Sequence, residues 1–195
     1  MAHPIKLTEG HPKLVLDFIV QRYGSDLTFE FSQYEDQPGI LERNRQVFSL
    51  RANEITDDLI ETIIQDLPER CELALNSRVI RANGNVAHIP MIDFSTAALA
   101  QTLKLSTVLS EEIFREIIWF NSGRSFHGYG LTLIDEKQWI ELMGKLLLVN
   151  RPGYTAIVDP RWIGHRLIAG YSALRWSRNT AKYLHVPKKA AGTIR

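Results

Sequence analysis

Two carboxylates, one histidine and a run of small hydroxyl residues stand at spacings that could serve chemistry on a phosphate. In His88-Ile89-Pro90-Met91-Ile92-Asp93-Phe94-Ser95 an acid closes an apolar stretch. An Asp at a strand end, aimed off a sheet edge, can hold a hard cation through its oxygens. The same side chain can instead cap a turn or a helix. Thr155-Ala156-Ile157-Val158-Asp159-Pro160-Arg161 repeats the pattern. Pro160 suits the first turn of a helix there, so Asp159 is also a candidate N-cap. Between them lies Ser122-Gly123-Arg124-Ser125-Phe126-His127-Gly128-Tyr129-Gly130. Small residues let main-chain N–H groups turn toward an anion, and Arg124 would add a two-pronged phosphate donor. A spacing of two puts Ser125 and His127 on one face of a strand. A glycine-containing hairpin with a satisfied histidine is the competing reading.

These residues need elements to carry them. Apolar positions from Leu14 to Tyr23 predict a short helix ended by Gly24. Leu27–Phe31 and Gln46–Ala52 alternate as strands do. Thr56 is placed to cap a helix bearing Leu59, Ile60, Ile63, Ile64 and Leu67. Cys71–Leu75 and Arg78–Ile80 are strand-like, Asn83-Gly84-Asn85 is a hairpin turn, and Val86–Phe94 reads as one strand. Ser95 or Thr96 is expected to cap a helix through about Lys104, and Ser110-Glu111-Glu112 to open a short element. Ile117–Phe120 reads as a buried strand, resuming from Phe126 to Ile134 after a break. Asp135 is the expected cap of a helix carrying Trp139, Leu142, Met143 and Leu146. Tyr154–Val158 is a strand or its approach, Trp162–Ala169 a helix, and Ala173–Trp176 a last strand. Strand pairs interleaved with helices predict an α+β fold or an open α/β sheet with helices on one face.

Composition narrows the field. A chain of 195 residues, 45% hydrophobic and 23% charged, predicts one domain, 1–195, with a core large enough to need no disulfide staple. The single Cys71 excludes an internal disulfide and a Cys-rich zinc site. Met1-Ala2-His3-Pro4-Ile5-Lys6 lacks the apolar core of a secretion signal, and apolar runs such as Leu146–Val149 are too short to span a bilayer. A cytoplasmic protein with no membrane partner is the expectation. The net charge is only +1, but it is unevenly spread. After Asp159 there is no acid and there are eight positive residues, Arg161, Arg166, Arg175, Arg178, Lys182, Lys188, Lys189 and Arg195. The rest carries fifteen positive against twenty-two negative residues, a net −7. Such asymmetry points to a polyanion contact, or more plainly to a solvated basic tail. Basic residues interleaved with Trp176 and Tyr183 suit phosphate pairing and base stacking. They would suit equally a surface strand whose Arg stems lie on apolar neighbours.

Taken in order, the segments resemble the archaeo-eukaryotic primase superfamily, which includes the primase-polymerases. Ile92-Asp93-Phe94-Ser95 matches the apolar strand ending in Asp-x-Asp, Ser125-Phe126-His127 matches Ser-x-His, and Val158-Asp159 matches the apolar-Asp motif. Leu174 to Tyr183 looks like the Arg-rich stretch of such enzymes. The resemblance runs over roughly 86–183. It implies a primase catalytic core with a mixed sheet, β-α-β elements like those of RNA-recognition domains, and packed helices. The activity implied is primer synthesis by nucleotidyl transfer from a nucleoside triphosphate on a single-stranded DNA or RNA template, with Mg2+ or Mn2+. Asp93 and Asp159 would then be catalytic and hold metal. Ser122, Arg124, Ser125 and His127 would hold the triphosphate, with Arg166, Arg175 and Lys182 as further triphosphate or template contacts. Ser95 stands where the family has its second carboxylate, a neutral and weaker ligand, so that one ion rather than two, or none without nucleotide, is the expectation. A module that binds nucleotide or single strands without turnover is therefore the alternative, alone or as part of a larger replication or defence complex. An unrelated globular protein with chance motifs is a third.

Overall fold

The computed structural model describes residues 6–35 and 45–191; Arg195 of the basic tail and the first five residues lie outside them. Two antiparallel sheets organise the chain. The first has the order β2 (Gln46–Arg51), β1 (Thr28–Glu35), β3 (Cys71–Ile80), β4 (Val86–His88), with β8 (Ala173–Arg175) also paired to β3. The second has the order β5 (Met91–Asp93), β7 (Phe126–Gly130), β6 (Ile117–Asn121), β9 (Lys188–Lys189). Every pairing among the described strands is antiparallel. The class is α+β, and among the described residues the sheets are antiparallel rather than mixed or open α/β.

The helices follow their sequence signals closely. Helix α1 (Lys13–Tyr23) buries Val15, Leu16 and Ile19 and ends at Gly24, which takes φ 93°. Helix α2 (Asp57–Gln65) starts where the Thr56 hydroxyl accepts from the Leu59 N–H. A short α3 (Glu111–Arg115) is capped by Ser110. Asp135 and Gln138 form a reciprocal capping box at the start of α4 (Glu136–Leu148). Helix α5 (Pro160–Ala169) has Pro160 in its first turn, Asp159 at its N-cap and a left-handed Gly170 at its end.

Four expectations are corrected. Cys71–Leu75 and Arg78–Ile80 are one ten-residue strand. Val86–Phe94 is not one strand: Pro90 cannot donate to a ladder, so β4 stays in the first sheet and β5 joins the second. Ser95–Lys104 forms no side-chain-capped α-helix; the chain instead runs in 3₁₀ turns over Leu99–Thr107 after Ala98, which has no capping side chain. Tyr154–Val158 is no strand, because only Val158 bridges Phe94. Asn150 takes the place of a neighbouring strand there. Its side-chain oxygen accepts from the Ile157 and Val158 N–H groups at 2.8 and 3.1 Å, and its amide donates to the Val158 carbonyl at 2.9 Å.

Burial explains how the layers stack. One core joins α1, α2 and the apolar face of the first sheet (Phe29, Phe31, Leu73, Leu75, Leu174) to Met91, Ile118, Phe120 and Tyr129 from the second sheet. The other joins the opposite face of the second sheet (Ile92, Ile117, Trp119, Phe126) to α4 and α5. Strand alternation thus sorts side chains to the two cores. Ile92 and Phe94 go to the second core, so Asp93 and Ser95 point the other way, with Met91, toward the seam between the sheets. Trp162 touches both cores. No described helix is long and apolar enough to cross a membrane.

Candidate nucleotide site at the seam of the two sheets

Three sequence motifs meet at this seam through main-chain pairing. Asp93 lies opposite His127 in the β5–β7 register. The Asp159 N–H donates to the Asp93 carbonyl at 3.0 Å, and the Ser95 N–H to the Ile157 carbonyl at 2.8 Å. Residues 66 positions apart are therefore neighbours, fixed by backbone rather than by their side chains. Their carboxylates differ in what they do. Asp159 uses Oδ1 to accept from the Arg161 and Trp162 N–H groups at 2.8 and 3.2 Å, which caps α5. The capping reading of Asp159 holds, and the acid still sits beside Asp93. Asp93 keeps a quarter of its side chain exposed, with Oδ1 3.8 Å from His127 Nε2.

His127 is almost fully buried. Burial pushes its pKa down to about 3, and the nearby Arg175 charge acts in the same direction. It is a neutral imidazole at physiological pH, so its approach to Asp93 is not an ion pair. A neutral ring has one donor nitrogen and one acceptor, and can serve an anion only by donating a hydrogen bond.

The turn before His127 is tight. The Ser122 N–H donates to the Ser125 carbonyl at 3.0 Å, their hydroxyls lie 3.1 Å apart, and the Gly123 N–H donates to the Asn121 side-chain oxygen at 2.8 Å. Gly123 adopts φ 116°, which favours glycine. Arg124 is exposed at the tip of the turn. The other glycines of this segment are packing residues. A Cβ on Gly128 would come 2.7 Å from the Trp119 ring, and one on Gly130 2.9 Å from Pro90. The anion-nest reading is thus left to 122–125, where the Ser122 and Gly123 N–H groups are already donated within the turn.

The remaining basic candidates separate. Lys182 is exposed, 5.8 Å above the Tyr183 ring. Arg166 is buried on α5, with its guanidinium 5.9 Å from the Tyr171 ring centre. Arg175 is buried and donates to the main-chain carbonyls of Ser122, Ser177 and His185. It is no snorkelling surface arginine.

Two residues of consequence escaped sequence reasoning. Asn150 holds the main chain that presents Asp159; its signal was an Asn immediately before the Arg151-Pro152-Gly153 turn. Glu72 holds residues 177–180 from β3. It reads as a solvent-side residue of an alternating strand, and its partners lie more than 100 positions away, so no local signal marks it.

An α+β fold with this order of motifs at the seam of two antiparallel sheets defines the class: a primase-type core. The model of the archaeo-eukaryotic primase 1D-like family matches residues 51–188, and the chain belongs to that family. The match starts well before residue 86, where the sequence resemblance began, and takes in β3 with Glu72. No curated protein and no solved structure matches the chain.

Proposed function

We propose that this protein is a primase-like nucleotidyltransferase module that binds a nucleoside triphosphate together with one divalent ion, Mg2+ or Mn2+, at the seam of the two sheets. The observation that carries the reading is the hydrogen bond from the Asp159 N–H to the Asp93 carbonyl, because it sets two acids side by side on separate elements. Carboxylate oxygens are the ligands such ions prefer. Among the described residues no group of three His, Cys, Asp or Glu side chains gathers, so the protein would offer Asp93 and Asp159 and leave further positions to phosphate oxygens. When bound, the ion would neutralise charge on the triphosphate.

The chain's own residues have distinct tasks in this reading. The Ser122 and Ser125 hydroxyls and the Gly123 turn would bind phosphate oxygens, with Arg124 adding positive charge from the rim. His127 would donate one hydrogen bond and no charge. Lys182 and Arg178, both exposed on the acid-free C-terminal segment, would meet a single-stranded DNA or RNA template through phosphates, a contact that weakens steeply with salt. A cytoplasmic setting, alone or within a replication or defence complex, belongs to the same reading.

Two observations favour a second reading, binding without turnover. Asp159 already spends one oxygen on the helix cap, and Ser95, not an acid, shares the face of Asp93. One experiment separates them. Purified protein is titrated with Mn2+ and a ribo- or deoxyribonucleoside triphosphate by calorimetry, then supplied with labelled nucleotide on a primed single strand. Incorporation that Asp93→Ala abolishes supports the enzyme. Binding without incorporation selects the second reading. No binding of either nucleotide refutes the enzyme, and no affinity for a single strand at low salt as well refutes both.

A further inference from the structure

We infer that Glu72, Ser177 and Arg175 form one positioning device that ties the Ser122–Ser125 turn to the basic segment 177–185, so that the triphosphate and template parts of the proposed site move as a unit. The inference rests on the reading of the site just given, and it gives Arg175 a different task from the ligand contact expected of it.

The device begins on β3. Glu72 is fully buried, and its carboxylate accepts from four donors. These are the Ser177 hydroxyl, the Asn179 N–H (3.1 and 3.0 Å to the two oxygens), the Thr180 N–H (2.8 Å) and the Thr180 hydroxyl (2.8 Å). The Asn179 amide adds donations to the carbonyls of Pro68 and Cys71 at 2.9 and 3.0 Å. The Ser177 hydroxyl also accepts from the Leu73 N–H at 2.8 Å. A turn of four residues is thus locked to the start of one central strand, and hydrogen bonds to a buried charge are the stronger kind.

Ser177 is the joint. Its hydroxyl meets Glu72, and its carbonyl accepts from Arg175. The same guanidinium donates to the Ser122 carbonyl at 2.7 Å and the His185 carbonyl at 3.3 Å. Tyr183 covers its face at 3.9 Å. A planar fork can hold carbonyls on several sides at once, which the single ammonium of a lysine cannot reproduce. The turn and the segment also touch directly, since a Cβ on Gly123 would lie 3.2 Å from Leu184 Cβ. All three of Arg175's carbonyl partners belong to main chain, so its guanidinium organises the rim rather than reaching outward.

The test uses the whole chain, with Thr180→Val and Arg175→Lys. Thr180→Val removes one hydroxyl donor to Glu72 at a half-exposed position and keeps the fold. Hydrogen exchange is followed peptide by peptide, and affinity for Mn2+ with ATP is measured well below the melting temperature. Exchange is expected to rise in 177–180 and also in 122–125, while β1 and β2 stay as in the unaltered protein. Affinity should fall about tenfold for Arg175→Lys, the equivalent of one lost charge-assisted bond, and less for Thr180→Val. A merely structural role would lower the melting temperature and leave the affinity of the folded protein unmoved. Faster exchange confined to 177–180 in Thr180→Val, or unaltered affinity in both variants, overturns the inference. If the unaltered protein binds no nucleotide, the site reading falls, and exchange at 122–125 alone decides whether the tie exists.

Discussion

Lowering the pH from 7.5 to 5 should strip this protein of a large part of its stability, through three buried histidines. His11 accepts from the Lys13 N–H at Nδ1 and faces the Trp176 carbonyl with Nε2 at 2.9 Å. His88 bonds the Ser77 hydroxyl at 3.0 Å and stacks on Trp139. His127 lies in the site. Burial is the first cause of the lowered pKa in each, to about 4 for His11, about 4 for His88 and about 3 for His127. The folded state therefore keeps them neutral where the unfolded chain, titrating near 6.5, takes up protons. Stability is complete above pH 6.5 and is lost as pH falls toward the folded values. At pH 5 each unfolded histidine has bound its proton and each folded one has not, so each costs about 2 kcal/mol. Together they cost about 6 kcal/mol, against a total of about 5–15 kcal/mol for a domain. The figure depends only on the folded values lying below 5. Glu30, raised by burial, works weakly in the opposite sense. Urea unfolding followed by tryptophan fluorescence should show the midpoint falling steadily from pH 7 to 5, and His88→Gln should flatten about a third of that slope. An unchanged midpoint across this range, or the same slope in His88→Gln, would refute the reasoning.

Two further outcomes follow from the packing and the cap. Gly128→Ala drives a Cβ against the Trp119 ring and should cost about 1–3 kcal/mol as an overpacked core does, read by the same urea assay; a neutral result would show that the ring can yield. Asp159→Asn keeps an oxygen for the α5 cap and should leave stability almost unaltered, whereas Asp159→Ala should cost about 1 kcal/mol. Both should weaken Mn2+ binding in a calorimetric titration alike, and retained Mn2+ binding in Asp159→Asn would remove Asp159 from the ion.

Local signals carried much of the chain. Thr56, Ser110, Asp135 and Asp159 cap the helices at which their side chains pointed, because a cap needs only partners two or three residues on. The Asn83-Gly84-Asn85 turn forms between β3 and β4 with Gly84 at φ 80° for the same reason. Where partners were distant, periodicity misled. The apolar run into Asp93 reads as one strand, yet Pro90 divides it between two sheets. The run into Asp159 reads as a strand or its approach, yet only Val158 bridges a neighbouring segment, and Asn150 supplies the hydrogen bonds on the other edge. Arg175 sits in a basic, aromatic stretch that suggests an exposed side chain, yet it is buried, and of its three carbonyl partners only Ser122 comes from a segment that folding alone brings near.

The amino-acid order alone determined which residues could act, two acids, a Ser-x-His and an acid-free basic tail, and the family they resemble, because residue type and spacing are local properties. Only the tertiary structure decided that Asp93 and Asp159 are neighbours, that His127 is buried with its pKa lowered, and that Glu72 and Arg175 bond to residues 177–180 and to the Ser122 carbonyl. Those facts depend on antiparallel pairing across tens of residues and on burial, and neither is written in any short stretch of chain.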